Sequence, residues 1–490
     1  MSFEPCIGLE VHVELATQSK MFCGCRVEFG AEPNSRCCPV CLGLPGSLPV
    51  PNQKAVEYVI RTGLALNCQV AERSRFARKN YFYPDLAKNF QISQYEEPLT
   101  YDGYLDLPIG GSSEDAQASS SLPQGEPMRI RVRRAHLEED TGKNTHLPDG
   151  RSLVDYNRCG IPLMEIVTEP DFTTPEQCRV YLTELRLILR YLGVSTANME
   201  EGVLRAEPTV NLIDREAGQA TPKVEIKNLN SIKSVYEAVK YELQRQRQCL
   251  ATGEEMCQET RLWDEIAGYT ATMRRKETAD DYMYFPEPDL PPLAPEREWV
   301  AAIRATLPEL PGALRQRLAQ QYGLPEYDAE VISADRAIVA YYQQAVAAGA
   351  DPKAASNWVM GDLMGYLNEH NLPISGLSVT PEQLAELLGL IAAGTISGKT
   401  AKDVFVKIAE TGQTAGQVVA AEGLQQISDE SELEKLVAEA MASNPEAVAD
   451  YRAGKEKALG AMVGYIMSQT RGQANPKLVN QMLREKLAQI

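Results

Sequence analysis

Near its start the chain alternates strictly: Ile7, Leu9, Val11, Val13 and Leu15 are apolar, and Glu10, His12 and Glu14 fall between them. A period of two sets these groups on opposite faces of one β-strand. The alternation recurs downstream. Arg129, Arg131 and Arg133 interleave with Ile130 and Val132, and Lys223, Glu225 and Lys227 with Val224 and Ile226. Glu201, Val203, Arg205 and Glu207 are expected on one face of a further strand. Such strands predict an antiparallel-rich sheet with one apolar and one unusually charged face.

Between these strands the period lengthens to that of a helix. Thr174-Pro175-Glu176 supplies a cap and a first-turn proline, and Val180, Leu182, Leu185, Leu189 and Leu192 run on to Gly193. A second helix is predicted over roughly Ile232 to Leu250. The Gly-, Ser-, Gln- and Pro-rich segment 109–127 is expected to be a surface loop. The Pro-rich passage Phe285–Pro292 either closes the first domain or shapes a rigid loop at the site. From about 296 onward the pattern is helical, with a capping box at Thr380-Pro381-Glu382-Gln383 and a last helix opened by Asn475-Pro476. The expectation is an α+β fold in three parts: residues 1–295, a helical domain at 296–409 and a small helical domain at 410–490. A length of 490 residues fits more than one core.

Composition adds little except through charge and cysteine. Hydrophobic content of 44% and charged content of 24% are ordinary for a soluble globular protein. A net charge of −18 argues against global wrapping of nucleic acid but leaves room for a local basic patch. One occurs between Glu446 and Ile490, where seven Lys or Arg stand against four Asp or Glu. With no apolar run long enough for a bilayer and no signal-like start, a cytoplasmic protein without membrane partners is expected.

Of eleven cysteines, five lie between Cys23 and Cys41, in a CxC and a CxxC. Two short-range thiol pairs converge naturally on one tetrahedral ion. Cys23, Cys25, Cys38 and Cys41 are the expected ligands of a structural zinc, with Cys37 as bystander or substitute. An iron–sulfur cluster and unliganded packed thiols are the alternatives. The chain has only four histidines, and His12 stands between two carboxylates. That makes its strand a candidate metal or phosphate-chemistry site, or simply a strand with a wet face. The runs His136-Leu137-Glu138-Glu139-Asp140 and Leu163–Val167 are sources of further ligands. Glu165, set among apolar neighbours, needs a metal or a cationic partner if buried.

Several motifs together resemble the B subunit of the bacterial tRNA-dependent amidotransferases, the GatB/GatE family. They are Gly8–Val13, Phe29–Ser35, Cys38–Gly46, Arg78–Asp85, His136–Asp140, Leu153–Arg158, Asp280–Asp289, Gly460–Gly464 and Ala474–Val479. Their order covers essentially the whole chain. The resemblance implies a cradle domain related to glutamine synthetase and guanido kinases, then a helical domain and a YqeY-like tail. It also implies a carbon–nitrogen ligase using ATP and Mg2+, or Mn2+. The side-chain carboxylate of Glu-tRNA(Gln) or Asp-tRNA(Asn) would be phosphorylated and then amidated. The implied partners are an amidase/glutaminase A subunit supplying ammonia through a channel, a small C subunit, the misacylated tRNA and the cognate non-discriminating aminoacyl-tRNA synthetase.

On the same basis the Mg2+ ligands are expected to be His12, Glu139 and Glu165 with Glu10 beside them, and Glu138 and Asp140 as further candidates. Lys79 and Arg158 lead the candidates for orienting phosphates, followed by Lys88, Arg205, Lys227 and Arg275; each is otherwise an ordinary ion-pair partner. Asn80, Tyr81 and Tyr83 suit the terminal adenosine or the channel mouth, or are core tyrosines. Lys455, Lys457, Arg471 and Lys477 are candidates for tRNA phosphate contacts, or a solvated helical surface. Met283 stands where the family more often has Arg. A nonenzymatic tRNA-binding scaffold and a small-molecule carboxylate kinase are the competing functions. The acidic/His constellation speaks against the first and the long basic extension against the second. No Gly-x-Ser-x-Gly elbow is present, consistent with ammonia arriving from another chain.

Overall fold

The first alternating segment forms strand β1 (Glu4–Glu14), buried at Ile7, Leu9, Val11 and Val13 and partly open at Glu10, His12 and Glu14. It belongs to a computed structural model that describes residues 3–107, 128–275, 283–425, 430–452, 454–470 and 474–488; the side chains of 430–432, 476 and 477 fall outside that description. The loop expected over 109–127 lies outside the described residues.

The chain divides into two compact units, Met1–Pro311 and Gly312–Ile490. In the first, β1 is followed by β2 (Gln69–Val70), β3 (Ala77–Asn80), β4 (Phe90–Ser93), β5 (Thr100–Leu107), β6 (Met128–Glu139), β7 (Lys143–His146), β8 (Ser152–Asp155) and β9 (Pro162–Thr168). Then come β10 (Leu204–Asp214), β11 (Gln219–Ala220), β12 (Val224–Lys227), β13 (Glu259–Asp264), β14 (Tyr269–Arg275) and β15 (Met283–Pro286). The large sheet runs β14-β13-β12-β10-β1-β9-β6-β5-β2, with β11 beside β10. Its pairs are antiparallel except β12 with β13.

Three helices, α1 (Gln53–Ala65), α2 (Pro175–Leu192) and α3 (Ile232–Thr252), share one core with the sheet's apolar face. Val59, Ile60, Leu185, Leu189 and Val239 meet Leu9, Val11, Ile130, Ile166 and Val210 there. Burial of each such side chain is worth about 1.5–3 kcal/mol. Thr174 and Gln177 cap α2 reciprocally, and Gly193, at φ 66°, ends it in a left-handed turn that a side chain would strain. Gly103 on β5 is needed for another reason. A Cβ there would lie 2.3 Å from the Cys68 Sγ and 2.5 Å from the Leu66 carbonyl oxygen.

Two details differ from expectation. Glu201 and Val203 precede β10, in a turn, so only Arg205 and Glu207 of that set lie on the strand. In β6 the pairing with β9 shifts between Val132 and Arg134, a β-bulge that reverses the alternation. Before it Ile130 and Val132 face the core; after it Ala135 and Leu137 do. The charged face therefore carries Arg129, Arg131 and Arg133 first, then Arg134, His136 and Glu138.

A second sheet, β15-β3-β4, includes the start of the Pro-rich passage. Arg78 on β3 binds the fully buried Glu287 carboxylate through two nitrogens, at 2.7 and 3.0 Å, tying the chain after β15 to this sheet. Lys79 pairs with Tyr284 on one side and Gln91 on the other, so these three share a face.

The second unit is helical. Its helices include Arg336–Ala347, Pro381–Ala392, Gly398–Thr411 and Pro476–Ala488, and Thr380 forms the expected capping box with Gln383. Leu433, Val437, Met462, Ile466, Val479 and Leu483 belong to a separate apolar cluster. Among the described residues no helix is long and apolar enough to cross a membrane.

Candidate active site

The charged face of the large sheet and the Lys79 face of the small sheet line a cleft of about 1500 Å³. At its floor, neighbouring strands align Arg205, His12, Glu165 and His136 in one row, because His12 is registered with both Arg205 and Glu165, and Glu165 with His136. His12 Nε2 lies 3.3 Å from Glu165 Oε2, 3.5 Å from Glu10 Oε1 and 3.8 Å from Glu138 Oε2. One ligand atom each from Glu10, His12 and Glu165 fit within 4.8 Å of one another, as do those of His136, Glu138 and Glu165.

So many carboxylates at one buried point require positive charge. Burial works against a proton on His12, but hydrogen bonding and attraction from Glu165, then Glu138 and Glu10, hold its pKa up at about 9. Burial and then Glu165 push Glu10 up to about 7. Burial and Glu138 would raise Glu165, yet His136 and His12 hold it below the carboxylate range. Glu138 is likewise held low against burial, by His136, Lys79 and His12. Burial would lower Lys79, but Glu138, Tyr284 and Glu165 together outweigh it and keep the ammonium charged. Glu138 is also fixed by neutral donors: the Ser93 hydroxyl donates to Oε1 at 2.6 Å and the Gln91 amide to Oε2 at 3.2 Å.

The walls carry basic residues. Arg205 binds Asp140 Oδ2 at 2.6 Å, and Lys227 binds Glu207 at 2.6 Å and Glu225 at 3.1 Å. Lys223, Arg274 and Arg275 line the cleft as well. The Nε atoms of Arg134 and Arg205 are buried with no hydrogen-bond partner, donors suited to an incoming anion.

On the other side of β6 the four sulfurs of Cys23, Cys25, Cys38 and Cys41 also fall within 4.8 Å of one another. Cys37 is not among the four, though it neighbours Cys41; its sulfur lies 4.0 Å from the Asn157 side chain. Cys41 is lowered to about 4 chiefly by its hydrogen bond with Cys23, with help from the Cys38 amide at 3.1 Å and Lys20 at 3.7 Å. Four converging thiols with one held as thiolate form a metal-capable cluster.

Comparison with known proteins gives the family. A model described as the GatB/GatE catalytic domain matches residues 5–301, and one described as the GatB domain matches 340–487. The B subunit of the aspartyl/glutamyl-tRNA(Asn/Gln) amidotransferase of Carboxydothermus hydrogenoformans is 50% identical over 492 residues, covering 100% of this chain and 99% of its own. That of Thermodesulfovibrio yellowstonii is 49% identical, covering 99% of each. The chain belongs to the GatB/GatE family. As a family member it is a subunit of a carbon–nitrogen ligase.

Against the expected residues, the structure brings Glu10, His12, Glu165, Lys79, Arg205, Lys227 and Arg275 to the cleft. It turns others away. Glu139 is corrected by the bulge: it faces opposite to Glu138, where Lys88 Nζ meets its Oε1 at 2.6 Å and the Ile92 amide donates to it at 3.0 Å. Glu139 and Lys88 instead line a separate cavity of about 170 Å³ beside Cys41. Arg158 is engaged by backbone, donating to the carbonyls of Thr141 and Gly142, with Asp140 at 3.6 Å. Asn80 and Tyr81 line the cleft, but Tyr83 is exposed and does not. Lys455 and Lys457 are exposed, Lys455 pairing with Asp450. Arg471 and the Lys477 side chain lie outside the described residues. Sequence reasoning named His136 only within a run of further ligands and missed Arg134 and Tyr284. The signal for Arg134 was present in the alternation Arg134-Ala135-His136-Leu137-Glu138.

Proposed function

We propose that the cleft is where this subunit phosphorylates the side-chain carboxylate of Glu-tRNA(Gln) or Asp-tRNA(Asn) with ATP and then forms the amide. Ammonia comes from the glutaminase A subunit, and the C subunit completes the complex. The observation that carries this reading is the cation-demanding row of Glu10, His12 and Glu165 on a floor walled by basic side chains. A carboxylate is a poor electrophile until an oxygen becomes a good leaving group, and phosphoryl transfer needs positioned charge far more than covalent help.

Glu10, His12 and Glu165, with Glu138 behind them, fit a divalent ion, since His12 otherwise keeps a proton where positive charge is needed. Bound there, Mg2+ would offset charge on the phosphate oxygens; an imidazole donor also suits Mn2+. Lys79, Arg205, Lys227 and Arg275 are the residues we assign to orienting the phosphates and the substrate carboxylate. Arg134 joins them. Zinc is the ion we assign to the four thiols; a closed four-sulfur site leaves no open position and serves structure. It would pin residues 23–41 after β1. Likeness to glutamine synthetase and guanido kinases is part of this reading, as is a tail domain from about 410, which the separate apolar cluster of Leu433 and Leu483 supports. Lys455, Lys457, Arg471 and Lys477 are the tRNA contacts it names.

The test is amide formation by the three-subunit complex given ammonium chloride in place of glutamine. Conversion of Glu-tRNA(Gln) to Gln-tRNA(Gln) should require ATP and a divalent ion. Conversion without ATP would refute activation at this site.

A further inference from the structure

We propose that the stacked pair Tyr95–Tyr284 is a binding platform for an adenine ring, brought either by ATP or by the 3′-terminal adenosine of the tRNA. This rests on the functional reading above, which supplies both adenines. The two rings lie 4.3 Å apart at 13°, and both border the cleft. They come from different elements: Tyr95 follows β4, and Tyr284 sits on β15 opposite Lys79. Tyr95 is 47% exposed, an aromatic surface left open in a wall that is otherwise mostly charged or polar.

Each substrate feature has a counterpart in that wall. Phosphates and the amino-acid carboxylate match its cations; of what remains, only the nucleobases are flat and aromatic. Base stacking on tyrosine needs exposed aromatic surface near the reacting groups, and Tyr95 supplies it at the cleft wall. A cation adjoins it. The Arg134 guanidinium lies 5.6 Å from the Tyr95 ring centre, and its buried Nε has no partner, leaving a donor for a base or phosphate acceptor. A small cavity of about 60 Å³ also borders the pair, lined by Phe76, Ala77, Phe285 and Pro286 together with the charged Arg75, Glu96 and Glu97. The platform adjoins the reaction centre, since Tyr284 shares its face with Lys79 and Gln91.

Binding rather than turnover provides the test, using the three-subunit complex with wild type, Tyr95→Phe and Tyr95→Ala. Dissociation constants are measured for AMP-PNP, for uncharged tRNA(Gln), and for the same tRNA ending in cytidine; melting curves verify folding. Tyr95→Ala should weaken one ligand by about 5- to 100-fold, the effect of losing one stacking ring, and Tyr95→Phe by less than about twofold. Weaker AMP-PNP assigns the platform to ATP. Weaker binding of the adenosine-ended tRNA alone assigns it to the acceptor end. Unchanged constants in a folded Tyr95→Ala complex overturn the platform, as does an equal loss in Tyr95→Phe, which would point to the hydroxyl. A wild-type complex that binds neither ligand overturns the functional reading itself.

Discussion

The neighbouring glutamates at 138 and 139 give the sharpest test of how the site is built, because the pleat sends them to opposite faces and the β6 bulge decides that Glu138 takes the cleft. Glu139 is 3% exposed and pairs with Lys88, itself 10% exposed. In Glu139→Gln the amide oxygen can still accept from the Ile92 N–H, so the loss is the counter-charge of a buried ammonium. Removing one partner of a buried pair costs about 3–5 kcal/mol. At roughly 2 °C per kcal/mol, suited to a large unit, melting should fall by about 6–10 °C. Affinity for Mn2+ should stay within a few fold of wild type. Glu138→Gln differs in what it does to the ion. It removes a buried carboxylate whose attraction to His136, Lys79 and His12 outweighs burial, so melting should fall here too. Mn2+ affinity should drop at least about 10–100-fold, the range seen even for groups that only support ligands. Titration calorimetry with Mn2+ and melting of each variant complete the assay. Loss of Mn2+ binding in Glu139→Gln at unchanged melting, with normal binding in Glu138→Gln, would refute the placement.

Cys41→Ser should lose bound zinc by atomic absorption and unfold at lower temperature, whereas Cys37→Ser should keep wild-type zinc because that sulfur lies outside the cluster. Gly103→Ala should destabilise by about 1–3 kcal/mol or more in urea unfolding, since its Cβ would overlap Cys68 and backbone. Burial would raise Asp171, but its hydrogen bonds with Arg131 hold it below the usual value, so its contribution is present near neutrality and fades as pH falls through that lowered pKa. Asp171→Asn should therefore cost about 1 kcal/mol at pH 7, a small value because Arg131 is exposed, and the difference from wild type should shrink in acid.

Much of this was legible where one periodicity ran uninterrupted. Strand β1 shows its faces directly, and Thr174, Pro175 and Gly193 mark both ends of α2. The four-thiol cluster follows from spacing alone. Glu139 was expected at the metal from the family resemblance, and its position could not be read from the strand pattern: the phase set by Arg129, Arg131 and Arg133 does not survive the bulge, and a single extra residue exchanges the faces of all that follow. Lys88 went with it, because its role depends on which face Glu139 occupies. Arg158 and the Tyr95–Tyr284 stack depend on contacts between segments far apart in sequence, which no local pattern encodes. The charged floor itself was visible strand by strand; its assembly required the order β10-β1-β9-β6, which brings His12 between Arg205 and Glu165.

The most direct test of the central claim is transfer of labelled γ-phosphate from ATP by the three-subunit complex with Glu-tRNA(Gln) and no glutamine. Wild type and His12→Ala are compared in Mg2+, with tRNA binding measured for both. Activation at the Glu10, His12 and Glu165 centre predicts tRNA-dependent phosphate release in wild type and its loss in His12→Ala despite retained tRNA binding. Equal release from both would contradict it.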